Sequence, residues 1–276
     1  MLKKLLKYEW KETARLLLPI NLALIVLTVL GCAMLSTSIF DSEVSIFFAV
    51  PLLILYIISI IAFSSVTIIY IYVRFYKNLY TAEGYLMHTL PVTPMQLFHS
   101  KLIVGCSWFC LNSLLSSLSF MALGFAAGFH QASTNIYLDT TNINLDPSIS
   151  FADIFGYPVP VFLLWLLAIM VFSAFSSILM GYVSILLGQQ MERNKLAASV
   201  AFYFGIYMVI QIITSVAMMV PEFLIMKDMT DEEFMTIMLS ETFRMAFPMM
   251  TIIYLIMSIV FYIICRVLMN RRVNLD

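Results

Sequence analysis

Side chains able to do chemistry are few in this chain, and poorly grouped for it. The three histidines, His88, His99 and His130, are scattered. No HExxH, no paired CxxC and no GxxxxGK[ST] occurs, so a zinc-hydrolase helix, a thiolate metal site and a phosphate-cradling loop all lack their residues. Cys106 and Cys110 lie one helical turn apart, a spacing that fits neither a disulfide framework nor a zinc site. With Cys32 and Cys265 they read as small apolar fillers. The 20 methionines gather no His or Cys around them, which points to pliable apolar surface rather than a metal path. Uncharged polar groups are more plentiful. Ser107, Asn112, Ser113, Ser116, Ser117 and Ser119 share one apolar stretch, Ser173, Ser176, Ser177 and Ser184 another, and Gln211 lies in a third. In lipid such groups usually join helices to each other. The alternative use is to line a translocation path, for which Asn112, Ser113, Ser116, Ser173, Ser177 and Gln211 are the candidates.

The elements that must position these groups follow from where charge is missing. Of 276 residues, 62% are hydrophobic and 11% charged, against about 25% charged in a soluble domain. Asp, Glu, Lys and Arg are absent from six long stretches, 16–40, 44–73, 102–138, 154–191, 196–221 and 245–265. Each exceeds the roughly 20 apolar residues that cross a hydrocarbon core. Backbone amides and carbonyls have no partner in lipid, so these stretches are expected to be helices with internal bonds. None alternates polar and apolar residues as a membrane β-strand does. The expected fold is an all-α membrane protein with six transmembrane helices, near 16–36, 45–73, 102–128, 158–187, 196–220 and 247–268. The first 15 residues are expected to form a separate amphipathic helix in the membrane interface, apolar through Leu2, Leu5, Leu6, Tyr8 and Trp10 and basic through Lys4, Lys7, Lys11 and Arg15. Glu9 and Glu12 make this lead unlike the simple basic region of a cleaved signal.

Six crossings put both termini on one side. That side holds 13 of the 15 basic residues; Lys227 and Arg244 are the exceptions. By the positive-inside rule the termini are expected to be cytoplasmic. Of the 16 acids, 11 fall on the opposite side, including Asp139, Asp146, Asp153 and the run Asp231, Glu232, Glu233. The net charge of −1 therefore hides a polarised molecule. On that far side, 129–157 reads as an irregular polar loop. In 221–246 the spacing of Thr230 and Glu233 is a capping box, opening a short helix through Phe234, Ile237, Met238 and Phe243. No charged residue sits mid-span, as an ion-coupled carrier or an intramembrane protease would usually require. An enzyme is not expected, and neither is a nucleic-acid partner.

The segment between the second and third spans is unusual for a connector. Tyr85, Leu86, Met87, Leu90 and Val92 place apolar groups on the aqueous side, where they must dock on something. Thr93 followed by Pro94 has the form of a helix N-cap with proline at the first helical position. The stretch EGYLMHTLPVTPMQLFHSKL (83–102) resembles the first cytoplasmic loop of ABC-2 type permeases of Gram-positive bacteria. KYEWKETARLLLPI (7–20) resembles the amphipathic entry helix of that family, and LLGQQMERNKLAASVAFYFGIY (186–207) its second cytoplasmic turn. The likeness extends over all six spans in order and spacing.

The resemblance implies a type V (ABC-2) exporter-like fold and a role as the membrane subunit of an ATP-binding cassette exporter. A separate ATPase chain would carry ATP and Mg and bind below; this chain would hold no cofactor. Glu83, Gly84, Tyr85, Leu86, Leu90 and Pro91 would form the coupling element seated on the ATPase, with Gln189, Arg193 and Lys195 as a lesser contact. A second permease chain, identical or related, would complete the channel. Substrates of such families are peptides, including antimicrobial ones, drugs, lipids or polysaccharide precursors. Two readings from other classes stay open: an ATP-independent channel or secondary carrier, and a membrane sensor or scaffold of a peptide-resistance system that binds without flux.

Overall fold

The computed structural model describes residues 2–35, 43–80, 93–134, 152, 155–192, 194–226 and 234–270. Six long helices account for nearly all of them: α1 (Leu2–Leu35), α2 (Glu43–Tyr80), α3 (Pro94–Thr134), α4 (Val159–Gly188), α5 (Lys195–Met226) and α6 (Phe234–Asn270). Each is long and apolar enough to cross a membrane, and the all-helical architecture is compatible with a multi-pass membrane protein. Five of the six helices run past their charge-free stretches at one end or both, and α4 stays within its own. α3, at 41 residues, is about 60 Å long at 1.5 Å per residue, against a hydrocarbon core of about 30 Å.

The first 15 residues do not form a helix of their own. They are the opening turns of α1, which continues through Pro19 to Leu35. The physical reason lies on the stripe that faces inward. Glu9, Thr13, Leu17, Asn21 and Leu24 are buried, whereas Lys4, Lys7, Lys11 and Arg15 are exposed together with Tyr8 and Leu18. The polar members of the buried stripe find partners on other helices, so protein takes the place that lipid headgroups would have had.

The chain divides into two compact units, each passing through α2 and α3. One comprises Met1–Arg74 with His99–Ile143 and contains α1, most of α2 and most of α3. The other comprises Phe75–Phe98 with Asn144–Asp276 and contains α4, α5 and α6.

In the second unit α4 is central. Its last half, from Ala174 to Gly188, is almost wholly buried, and both α5 and α6 pack on it. The α4–α5 turn is tight. Gln189 N donates to Ile185 O and Gln190 N to Leu187 O, and Asn194 takes a positive φ of 56° just before α5. Gly188 is required here, because a Cβ at that position would fall 2.6 Å from Ser199 Cα on α5. At the other end Pro158 and Pro160 open α4, where their missing N–H groups cost nothing.

A proline inside a helix leaves the carbonyl four residues earlier without its amide partner. Pro248 does this to Arg244 within α6. The Tyr157 hydroxyl donates to that carbonyl at 2.9 Å. Gly156, at φ 68°, brings the chain close enough for this, since a Cβ there would meet Ser240 O at 2.6 Å. Phe155, Phe162, Phe243 and Phe247 pack around the same place, with ring centroids 4.9–5.7 Å apart.

α5 runs unbroken to Met226 and α6 begins at Phe234. The helical part expected within 221–246 is therefore continuous with the flanking long helices. Thr230 itself lies outside the described residues.

Candidate functional site

The site is a ladder of polar contacts between α1 and α3 in the first unit, closed at both ends by α2. Its first rung is ionic. The Glu9 carboxylate accepts from Lys101 Nζ at 2.6 Å, and from Arg74 Nε and Nη2 at 3.0 and 2.8 Å. The side chains of Glu9, Lys101 and Arg74 are 6%, 4% and 11% exposed, so one buried carboxylate pairs with two cations. Arg74 also reaches the exposed Glu12 at 2.6 Å. Arg74 ends the part of α2 that belongs to this unit, and Lys101 lies near the start of α3. The two cations thus bracket the segment 81–92 in sequence.

The second rung is aromatic and hydroxylic. Thr13 Oγ1 donates to Glu9 O at 2.8 Å and accepts from Trp108 Nε1 at 2.9 Å. Trp108 stacks on Trp10 with centroids 5.0 Å apart. Deeper along the helices, Asn112 Nδ2 donates to Asn21 Oδ1 at 3.3 Å, while Asn21 Nδ2 donates to Leu17 O at 2.9 Å. Last come three hydroxyls, with Ser119 hydrogen-bonded to both Thr28 on α1 and Tyr56 on α2. Gly31 then lies against Leu123 and Tyr56, whose ring packs with Ile60 in an apolar plug.

Three of these contacts share one geometry. The partners Glu9–Lys101, Asn21–Asn112 and Thr28–Ser119 keep sequence offsets of 92, 91 and 91. A constant offset means that α1 and α3 run parallel and side by side over about 30 Å of helix. From Asn21 to Thr28, and from Asn112 to Ser119, the step is one heptad, the repeat of a left-handed supercoiled pair. The groups meet inside protein, where a hydrogen-bonding group facing lipid would have had no partner.

The second unit holds the other flank of the 81–92 segment. Phe75 stacks on Tyr182 of α4 with centroids 3.7 Å apart. Phe98 meets Tyr182 at 6.0 Å and Tyr262 of α6 at 6.3 Å. Phe75, Phe98 and Tyr182 are all fully buried. Arg74 and Phe75 are consecutive, yet each is anchored within a different unit.

Of the residues expected to couple to an ATPase, Glu83, Gly84, Tyr85, Leu86, Leu90, Pro91 and Arg193 lie outside the described residues. Gln189 closes the end of α4, its Nε2 buried with no hydrogen-bond partner among the described residues. Lys195 begins α5 and is half-buried. Thr93 caps α3 as expected, accepting from Gln96 N at 3.3 Å, with Pro94 the first helical residue.

The candidate path residues do not gather at one place. Asn112 is buried in the ladder. Ser113 is half-buried, and Ser116 nearby has a buried Oγ with no hydrogen-bond partner among the described residues. Ser173 bonds back to Met170 O at 3.1 Å, and Ser177 is half-buried on α4. Gln211 is exposed in the middle of α5. The Cβ position of Gly124 on α3 meets nothing within 4 Å. The four cysteines are free thiols, with Cys106 and Cys265 buried.

Glu9 and its partners were missed by sequence reasoning, which placed Glu9 in an interfacial helix. The readable signal was the set Glu9, Thr13, Asn21 and Thr28, polar residues on one stripe of an otherwise apolar helix. No family model, curated protein or solved structure matches this chain.

Proposed function

We propose that this chain is the membrane subunit of an ATP-binding cassette exporter, acting with a separate ATPase and a second permease chain in a bacterial cytoplasmic membrane. Its substrate would be a peptide, drug or lipid-like molecule. The reading rests on the likeness of 83–102 to the coupling loop of ABC-2 permeases. One structural observation supports it: both flanks of that loop are anchored. Arg74 and Lys101 hold the Glu9 carboxylate of α1, and Phe75 and Phe98 hold Tyr182 of α4.

A force applied to the loop would reach α1 through a buried ionic joint and α4 through a stacked aromatic one. Neither joint has slack, because a charge pulled from its buried counter-charge and a ring pulled from its slot are both costly. In this mechanism ATP closes the nucleotide-binding subunits, their docked loops are displaced, and the helices change which faces meet the substrate. The ATPase carries out hydrolysis; this chain turns displacement into altered substrate affinity across the bilayer.

The test is co-purification of the chain with an ATPase from its native host, with ATP hydrolysis measured in the assembled complex. Glu83→Lys and Leu86→Asp are expected to abolish both association and stimulated hydrolysis, while the purified chain keeps its thermal unfolding profile. Normal assembly and substrate movement in both variants, or movement driven by an ion gradient through this chain alone, would overturn the proposal.

A further inference from the structure

The buried stripe of α1 accounts for one side of that helix only. On another side Lys4, Lys7, Lys11 and Arg15 follow each other at steps of three and four residues. Leu18, Leu22, Ile25 and Val29 continue the same spacing, so cations and aliphatic groups form one straight row. Every member of the row is exposed. Pro19 does not break it, because α1 pairs with α3 on both sides of the proline. The row therefore changes character once, from charged to wholly apolar, between Arg15 and Leu18.

The chain itself leaves the charged half unanswered. Glu9 and Glu12, the acids of these turns, are held by Lys101 and Arg74. The four cations of the row have no ion-pair partner among the described residues. The dimensions indicate what would answer both halves. From Leu18 to Val29 the helix rises about 16 Å, close to the hydrocarbon depth of one leaflet, about 15 Å. Lys11 and Arg15 stand about 6 Å apart at the mouth of that apolar strip, a span comparable to the headgroup layer. Lys4 lies about 16 Å beyond Arg15, out of reach of that layer.

A molecule with an anionic head and an acyl chain one leaflet long complements the whole strip. A zwitterionic lipid supplies the chain but brings a cation of its own. An acidic protein or a free anion suits the cations and makes no use of the aliphatic half. The ladder behind the row matters too, since it holds α1 beside α3 and so presents the strip along the acyl chains.

We propose that this row of α1 is a binding site for one anionic phospholipid in the leaflet on the N-terminal side. Its phosphate sits between Lys11 and Arg15, and an acyl chain lies along Leu18, Leu22, Ile25 and Val29. The site depends only on α1 crossing the bilayer, so its fate is separate from that of the exporter reading.

The test titrates the full-length chain, purified in a non-ionic detergent, with phosphatidylglycerol or phosphatidylcholine, and reads the bound lipid by native mass spectrometry. Phosphatidylglycerol is expected to bind at least about 10-fold more tightly than phosphatidylcholine. Changing Lys11→Gln and Arg15→Gln together is expected to weaken it about 10- to 30-fold, from the usual contribution of a cation at a charged membrane surface. Lys3→Gln with Lys4→Gln removes the same charge beyond the headgroup layer, and is expected to leave affinity within about two-fold. Lys11→Arg with Arg15→Lys is expected to keep it, as all these side chains are exposed and carry no packing. Glycerol 3-phosphate, a head without a chain, is expected not to displace the lipid. Equal affinity for the two lipids would overturn the proposal, as would equal loss in the two glutamine pairs, which assigns the effect to diffuse attraction. Displacement by glycerol 3-phosphate would make the row a soluble-anion site instead. Unchanged affinity in Lys11→Gln with Arg15→Gln, or no bound phosphatidylglycerol at all, overturns it as well.

Discussion

At the scale of single residues, Glu9 is the most consequential side chain described. It faces two buried cations, so its removal leaves positive charge in a place water cannot reach. Breaking a buried ion pair from one side costs about 3–5 kcal/mol. Glu12 touches the same Arg74 but is 66% exposed, and a pair of that kind contributes about 0–1 kcal/mol. Glu9→Gln is therefore expected to lower the unfolding midpoint of the purified chain substantially, and Glu12→Gln barely. Tryptophan fluorescence is a suitable monitor, because Trp10 and Trp108 stack beside the cluster. Equal shifts in the two variants would show that the charges around Arg74 are solvated. Little of this was legible in sequence. Glu9 stands among four lysines, and composition alone assigns such a helix to headgroups. Only the partners Arg74 and Lys101, 65 and 92 residues away, decide otherwise.

At the scale of elements, the six helices were readable because lipid removes the usual ambiguity: a charge-free run of this length can hardly be anything else. Their ends were less so. α2, α3 and α6 extend well past the apolar runs, since helix propagation needs only backbone bonds once begun. Thr93 and Pro94 were read correctly because a cap is a local device with a local signature. The joint between Tyr157 and Pro248 was not readable, as it links residues far apart in the chain. It carries a clear expectation. Tyr157→Phe removes the donor to Arg244 O and should cost about 1 kcal/mol. In a Pro248→Ala background the carbonyl regains an amide, so the same substitution should cost much less. A double-mutant cycle on thermal unfolding measures the difference, and additive effects would show that the hydroxyl does not serve the proline.

At the scale of the whole molecule, charge distribution is the strongest signal in the sequence. It fixes an expected orientation with termini inside, which the arrangement of helices alone leaves open. A phosphatase reporter active only outside the cytoplasm should be silent when fused after Asp276 and active when inserted in 135–150. The reverse pattern would turn the molecule over and place the 83–102 loop where no ATPase can reach it. The division into two units, with boundaries at Arg74–Phe75 and Phe98–His99, was not legible. Hydropathy sees one helix where packing sees two allegiances.

The constant pairing offset of α1 and α3 has a consequence for how this chain can change over generations. A single residue inserted into either helix turns everything beyond it by about 100° and slides it by about 1.5 Å. Every later rung would then point its amide or hydroxyl at hydrocarbon, with no compensating shift available from the other strand. Substitution at any one rung is a local injury, whereas a change of length misaligns all the rest, like a zip with one tooth added. Drift in this half of the protein should therefore proceed by exchange of side chains and almost never by insertion or deletion.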